Sequence, residues 1–150
     1  MDRDDTLSRL EKLIETCKDG EYGFRTCAEH VKSTDLKEVF LRRADDCQRG
    51  AGELQEIVVR LGGKADTGGS ASGALHRGWV SVVGVLSGKS DGAILDECER
   101  GEDAALARYR DAIKSDLPPD VMAVVQRQYE GVKRNHDQIR TLRNQVHAVS

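Results

Sequence analysis

The sequence has few aromatic residues and almost no proline. Aromatic residues make up 4% of its 150 residues, and its two prolines, Pro118 and Pro119, are adjacent. Strands favour aromatic and β-branched side chains, whereas Ala, Leu, Glu and Arg favour helices. The composition therefore predicts an all-α protein. Because 150 residues is an ordinary size for one domain, we expect residues 1–150 to form a single unit.

A surplus of basic charge is also absent. The chain has 23 Lys and Arg against 26 Asp and Glu, which gives a formal net charge of −3. A nucleic-acid-binding domain usually presents a basic face, so we expect no nucleic-acid partner. No apolar run approaches the roughly 20 residues of a membrane-spanning helix. The polar, acidic N-terminal sequence is unlike a signal peptide. We therefore expect no membrane association and a cytoplasmic location.

Paired cysteine motifs are missing as well. The four cysteines, Cys17, Cys27, Cys47 and Cys98, include no Cys-x-x-Cys pair, which argues against the usual zinc sites. In a reducing compartment we expect all four thiols to stay free. Three of them fall on apolar helical stripes and are predicted to be small core residues. Cys27 falls off its stripe and is therefore the candidate for a redox role.

Start and stop signals divide the chain into four long helices. Asp35 is the expected cap of the second helix, and Gly62-Gly63 is its expected end. Pro119 suits the first turn of the fourth helix. Apolar residues recur at steps of three and four along each segment, which predicts one inward stripe per helix. The predicted helices cover residues 4–32, 35–61, 91–115 and 119–146.

The connections between these helices predict the topology. The first and third connections are short, whereas nearly thirty residues separate the second and third helices. This pattern is typical of a ferritin-like four-helix bundle with one long crossover. Within the crossover the sequence predicts an extra short helix inside residues 73–87. We expect its Trp79, Val82 and Val83 to pack against the bundle, since exposing them would leave an apolar patch; if they are exposed, the patch should be a protein-binding face or a dimer contact.

Polar residues interrupt the apolar stripes near the middle of the helices. Glu21, Glu102 and His136 do so on the first, third and fourth helices, and the second offers Cys47 there. Midpoints of antiparallel helices lie at similar heights, so these residues are predicted to form one internal layer. Buried carboxylates need a cation, a proton or a metal. The candidate cations are Lys133, one turn before His136, and Arg49.

Several motifs resemble those of a known superfamily. The segment GEYGFRTCAEHVKS, followed by Phe-x-x-x-Ala and a closing LGG, resembles the first helix pair of rubrerythrin- and ferritin-like proteins. The segment ERGEDAALARY resembles their third helix. Within that superfamily, the chain is similar to a bacterial four-helix-bundle family of unknown function through GEYGF, LHRGW, GEDAALARY and NHDQIR. The resemblance covers nearly the whole chain and implies the fold, but no reaction.

The resemblance also implies a set of metal ligands. Metal-binding members use a glutamate on helices one and three and a Glu-x-x-His motif on helices two and four. By this resemblance, Glu21, Glu102 and His136 match three of the six ligands. The second-helix motif falls on residues 47–50, Cys-Gln-Arg-Gly, and Lys133 stands in place of the fourth-helix glutamate. The departures predict no dinuclear centre, and we expect no cofactor.

Two functions stay open at this point. The favoured hypothesis is a non-catalytic bundle that associates with itself or with another protein. In it, Glu21, Glu102, Lys133 and His136 form a buried network, with Glu21 or Glu102 within salt-bridge reach of Lys133 or His136. The alternative is a metal-dependent oxidoreductase or metal-binding protein. It would hold a single Zn or Fe through Glu21, Glu102, His136 and the Cys47 thiolate. A proton-transfer site formed by the same side chains is a third interpretation.

Overall fold

The computed structural model describes residues 2–64 and 88–149, and these form four long helices. No strand occurs within these two stretches. The predicted all-α class and the four helices are confirmed, with every boundary within two residues of its predicted position. The short helix predicted inside 73–87, with the packing of Trp79 and its neighbours, lies outside the described residues. The helices are α1, Arg3–His30; α2, Thr34–Arg60; α3, Asp91–Lys114; and α4, Pro119–Ala148.

Local signals explain where α2 begins and ends. The Ser33 hydroxyl accepts a hydrogen bond from the backbone N–H of Leu36 at 3.2 Å. The N-cap is therefore Ser33 and not the predicted Asp35, because Ser33 carries the oxygen that reaches a free helical N–H. At the other end, Gly62 has a φ of +87°, a left-handed conformation that glycine adopts without steric strain. The predicted helix end at the LGG sequence is confirmed.

The helices are arranged as two antiparallel hairpins, α1–α2 and α3–α4, joined by the long crossover. Asp91 at the start of α3 links the two hairpins through hydrogen bonds. Its carboxylate accepts hydrogen bonds from the backbone N–H groups of Lys32 at 2.8 Å and Ser33 at 3.1 Å, in the α1–α2 turn. α1 packs along both α2 and α3, whereas α2 and α4 approach each other at only a few positions. This uneven packing leaves an opening between α2 and α4.

The apolar interior consists of two clusters, one toward each end of the bundle. The first includes Leu10 and Leu54. The second includes Phe24 and Phe40, whose ring centroids are 6.1 Å apart. On α3 the residues before Glu102 belong to the second cluster and those after it to the first. The Glu102 carboxylate, only 2% exposed, therefore lies at mid-height of the bundle and needs a partner there.

Candidate functional site

The partner of Glu102 is Arg43 from α2. Arg43 Nε donates a hydrogen bond to Glu102 Oε1 at 2.8 Å, and the two side chains are 8% and 2% exposed. The Arg43 guanidinium carbon also lies 5.7 Å from the centroid of the Phe24 ring, within the range of a cation–π contact. A neutral, hydrogen-bonded ion pair therefore occupies the interior where the sequence predicted a polar layer.

Glu21 takes no part in this pair. Its carboxylate lies 2.9 Å from Arg25 Nη2, one turn along the same helix, and the Arg25 side chain also reaches Asp45 on α2 at 3.1 Å. The Glu21 side chain is 26% exposed. Gly20, the preceding residue, is the one that faces the interior, because neighbouring residues on a helix point about 100° apart. The prediction that Glu21 belongs to the interior layer is wrong.

His136 and Lys133 also lie elsewhere than predicted. His136 is 5% exposed, but its Nε2 is 2.6 Å from Asp103 Oδ1, across the contact between α3 and α4. Lys133 is exposed to solvent. The predicted network of Glu21, Glu102, Lys133 and His136 is therefore not formed. The interior cation is Arg43, since its long side chain extends from α2 to the mid-bundle carboxylate.

Sequence reasoning missed two buried charged residues in this region. Arg43 follows Phe40 by three residues and precedes Cys47 by four, so its position on the inward stripe was a usable signal. Asp19 is 3% exposed and lines the same region from α1. It lies beside the inward-facing Gly20 without falling on the apolar heptad. The spacing of apolar residues therefore gave no signal for Asp19.

Two thiols complete the interior. Cys47 is buried against Gly20, where an added Cβ would lie 2.8 Å from the Cys47 Sγ. Burial raises the pKa of the Cys47 thiol to about 12. Cys17 Sγ lies 3.2 Å from Tyr109 Oη, and burial likewise raises the pKa of Cys17. Both thiols are therefore protonated at neutral pH when no metal is bound.

The remaining two cysteines are adjacent. Cys27 is fully buried, and its Sγ lies 3.4 Å from Cys98 Sγ on α3. The prediction that Cys27 falls off the core is wrong. α1 packs against both α2 and α3, so its buried face is wider than a single heptad stripe. All four cysteines are free thiols, and burial raises the pKa of Cys98 well above its ordinary value.

The ion pair lies at the inner end of a cleft of about 570 Å³. That volume is within the range of about 300–1,000 Å³ typical of ligand pockets. Arg49 and Asp46 form an ion pair at its rim, as do Arg127 and Glu53. These pairings reduce the net charge that the rim offers to a ligand. Residues from all four helices line the cleft and include Cys17, Phe24, Arg43, Cys47, Glu102 and Gln128.

These side chains do not fit a dinuclear metal centre of the ferritin type. Such a centre uses four carboxylates and two histidines. Here the Glu102 carboxylate is bound by Arg43, and the Asp46 and Glu53 carboxylates are paired with arginines at the rim, which leaves Asp19 as the other buried carboxylate of the cleft. The part of α4 that lines the cleft, residues 127–135, does not include His136. Among the residues that the structure describes, the cleft lining therefore offers no histidine ligand, and Arg43 places a permanent positive charge beside Glu102.

A second group of possible ligands lies between α3 and α4. Glu99, Asp103 and His136 each offer one ligand atom, and these atoms all lie within 4.8 Å of one another. Glu99 and Asp103 are one turn apart on α3, and His136 reaches them from α4. The structure thus places His136 in a different group from the one predicted.

Comparison with known proteins identifies the family. Residues 5–115 match the family described as "Domain of unknown function (DUF2383)". The chain belongs to this family. It is also similar in structure to the bacterioferritin-related protein from Bacteroides fragilis, which is described as a dodecameric thioferritin. The TM-score is 0.70 and the sequence identity 12%, over 99% of this chain and 92% of that one.

This likeness confirms the predicted ferritin-like four-helix bundle and, at 12% identity, shows the fold alone. Curated proteins provide no significant match to the chain. In the parts of the chain that the structure describes, no helix combines the length and apolar character needed to cross a membrane.

Proposed function

We propose that this DUF2383 protein is a non-catalytic ferritin-like bundle that acts by associating with copies of itself. In this proposal its interior is held by an ion pair in place of a dinuclear metal centre. The observation that carries it is the buried contact between Arg43 Nε and Glu102 Oε1, at 2.8 Å. The pair engages one of the interior carboxylates that a metal would need and adds a permanent cation beside it, since arginine does not lose its proton in proteins.

Electrostatic magnitudes favour this interpretation. A divalent ion about 5 Å from the Arg43 guanidinium would be opposed by about 7 kcal/mol at an effective dielectric constant of about 20. A second ion would add a similar amount. Glu102 would attract such an ion, but Arg43 cancels part of that attraction and occupies one of the two carboxylate oxygens. The ion pair therefore supports packing and helix register, because Arg43 already compensates the charge of Glu102.

The outer surface supports the association. Leu41 and Val59 on α2 are 38% and 53% exposed, and they are 18 residues apart, which is five helical turns of 3.6 residues. They therefore share one outer face of α2. Gly52 lies between them, and a Cβ added there would meet nothing, so the helix backbone is open to a close neighbour. The similar bacterioferritin-related protein, described as dodecameric, supports a second copy of this chain as that neighbour.

Light scattering coupled to size-exclusion chromatography tests the association. We expect the untagged protein to elute at a multiple of the mass of one chain. Replacing both Leu41 and Val59 with glutamate should shift it toward one chain, because charge on an apolar contact opposes burial. Val149→Glu is the matched control, since Val149 is 87% exposed at the end of α4. A wild-type protein that stays monomeric at high concentration would contradict the proposal.

Metal analysis tests the interior. The protein is incubated with Fe²⁺ without oxygen, desalted and analysed for metal content. We expect fewer than two ions per chain, with no change in Glu102→Gln. Two ions per chain that are lost in Glu102→Gln would overturn the interior account and favour the oxidoreductase alternative.

A further inference from the structure

The group formed by Glu99, Asp103 and His136 has the composition and geometry of a cation site. It lies between α3 and α4, and His136 is absent from the lining of the cleft that holds Arg43. Its three ligand atoms are within 4.8 Å of one another. Two of them, His136 Nε2 and Asp103 Oδ1, are already 2.6 Å apart. Side chains from two helices thus converge on one point.

His136 is oriented as metal-binding histidines usually are. Its ring is 5% exposed, and Nδ1 lies 3.5 Å from Asp137 Oδ1 while Nε2 faces Asp103. In metal sites the nitrogen that does not bind the ion generally donates its proton to a carboxylate or carbonyl. In this structure Nε2 donates its proton to Asp103 Oδ1, and a bound ion would take the place of that proton, with Asp137 on the Nδ1 side to accept it instead.

Glu99 contributes a largely buried carboxylate to the group. The residue is 9% exposed, and its Oε2 is buried without a hydrogen-bond partner among the described residues. Arg143 Nη1 is 2.9 Å from this oxygen, but the contact lacks hydrogen-bond geometry. Arg140 Nε is 3.9 Å from Oε1. Arg143 therefore neutralises part of the Glu99 charge, whereas Oε2 accepts no hydrogen bond from the described residues and can still bind an ion.

We propose that Glu99, Asp103 and His136 bind one divalent transition-metal ion, for which Zn²⁺ is the best match. One imidazole nitrogen and two carboxylate oxygens are common zinc ligands, with water as the fourth in a tetrahedral site. Bond lengths of about 2.1 Å place tetrahedral ligands about 3.4 Å apart, so the present spacing requires only small side-chain movements. Asp103, whose side chain is 58% exposed, gives the ion and its water access from solvent.

This site extends beyond the proposed function, because it is mononuclear and its three ligands are distinct from the Arg43–Glu102 pair. Arg140 and Arg143 compete with the ion for Glu99. Removing the nearer competitor, in Arg143→Gln, should therefore tighten binding by a factor of a few. This expectation separates a metal site from a purely structural set of ion pairs, in which Arg143 would only stabilise the contact between the helices.

Calorimetric titration of untagged, chelator-treated protein with Zn²⁺ tests the proposal. We expect one ion per chain, and a loss of affinity of about tenfold or more in Asp103→Asn and His136→Gln. Asp103→Asn is the cleaner variant, because Asp103 is largely exposed and its loss leaves the core intact. Asp111→Asn, an exposed carboxylate two turns further along α3, is the control and should bind as the wild type does.

A second readout reports the coordination of the bound ion directly. Co²⁺ in place of Zn²⁺ should give the visible absorption of a four-coordinate site in the wild type and in Asp111→Asn, and lose it in His136→Gln. Absence of saturable Zn²⁺ binding would overturn the assignment. So would equal affinity in Asp103→Asn and wild type, or weaker binding in Arg143→Gln. None of these outcomes bears on the Arg43–Glu102 pair, so failure here is distinguishable from failure of the proposed function.

Discussion

Replacing Arg43 with methionine measures how strongly the interior depends on its ion pair. Methionine keeps much of the apolar stem but leaves the Glu102 carboxylate, 2% exposed, without its guanidinium partner. Removing one member of a buried pair costs about 3–5 kcal/mol, whereas an exposed pair contributes at most about 1 kcal/mol. With both side chains under one-tenth exposed, the buried value applies. For a urea m-value of about 2 kcal/mol per molar, the midpoint should fall by about 1.5–2.5 M.

Urea unfolding followed by far-UV circular dichroism, at one fixed protein concentration, is the assay. Adding Glu102→Leu to Arg43→Met removes both charges, and the double variant should recover most of the lost stability because no buried charge is left unpaired. Arg100→Met is the matched control. Arg100 pairs with Glu97 on the exposed side of α3, so its loss should change stability by less than about 1 kcal/mol. A wild-type midpoint for Arg43→Met, or a double variant no more stable than the single one, would refute this reasoning.

Three further predictions concern the same interior. Gly20→Ala brings a Cβ to 2.8 Å from Cys47 Sγ. A double-mutant cycle with Cys47→Ala should therefore show a coupling free energy of about 1 kcal/mol or more. Additive effects of the two substitutions on stability would contradict the close contact. Tyr109→Phe removes the hydroxyl that donates to Gln128 Oε1 at 2.8 Å and should lower stability by about 1 kcal/mol in thermal unfolding, whereas an unchanged melting temperature would show that this bond contributes nothing. Burial raises the pKa of Cys47 from 9.0 in the unfolded chain to about 12 in the folded protein. The contribution of the buried thiol to stability is therefore complete below the pKa of the unfolded chain and is lost as the pH rises from that pKa toward the pKa of the folded protein. The urea midpoint should therefore decrease as the pH is raised from about 8 to about 10.5, and it should decrease less in Cys47→Ala. An equal decrease in both proteins would contradict the attribution to this thiol.

Much of the fold could be predicted from local chemistry in the sequence. Apolar residues at steps of three and four, the serine and proline signals at helix starts and the glycine after α2 depend on the backbone nearby, so they can be recognised without knowing the partners of a helix. The same periodicity correctly placed Glu102 and Cys47 in the interior. The lengths of the connections then favoured the ferritin-like topology, because short turns join antiparallel neighbours.

The pairing of side chains in the candidate site could not be predicted in this way. A heptad indicates which side of a helix faces inward, but not how far it is rotated or which residues of its neighbours lie at the same height. Glu21 and Gly20 differ by one position, yet only Gly20 faces the interior. His136 lies on the inward stripe, but the packing of α4 against α3 directs it to Asp103.

By itself, the sequence determined the helices, their order and the buried position of Glu102, because these depend on backbone preferences and on the sequence spacing of apolar residues. Only the tertiary structure decided that Arg43 neutralises Glu102 and that Glu99, Asp103 and His136 converge. Contacts of these kinds depend on rotations and offsets of packed helices that amount to a few ångströms. Such differences leave the apolar pattern unchanged but decide which charged atoms can meet.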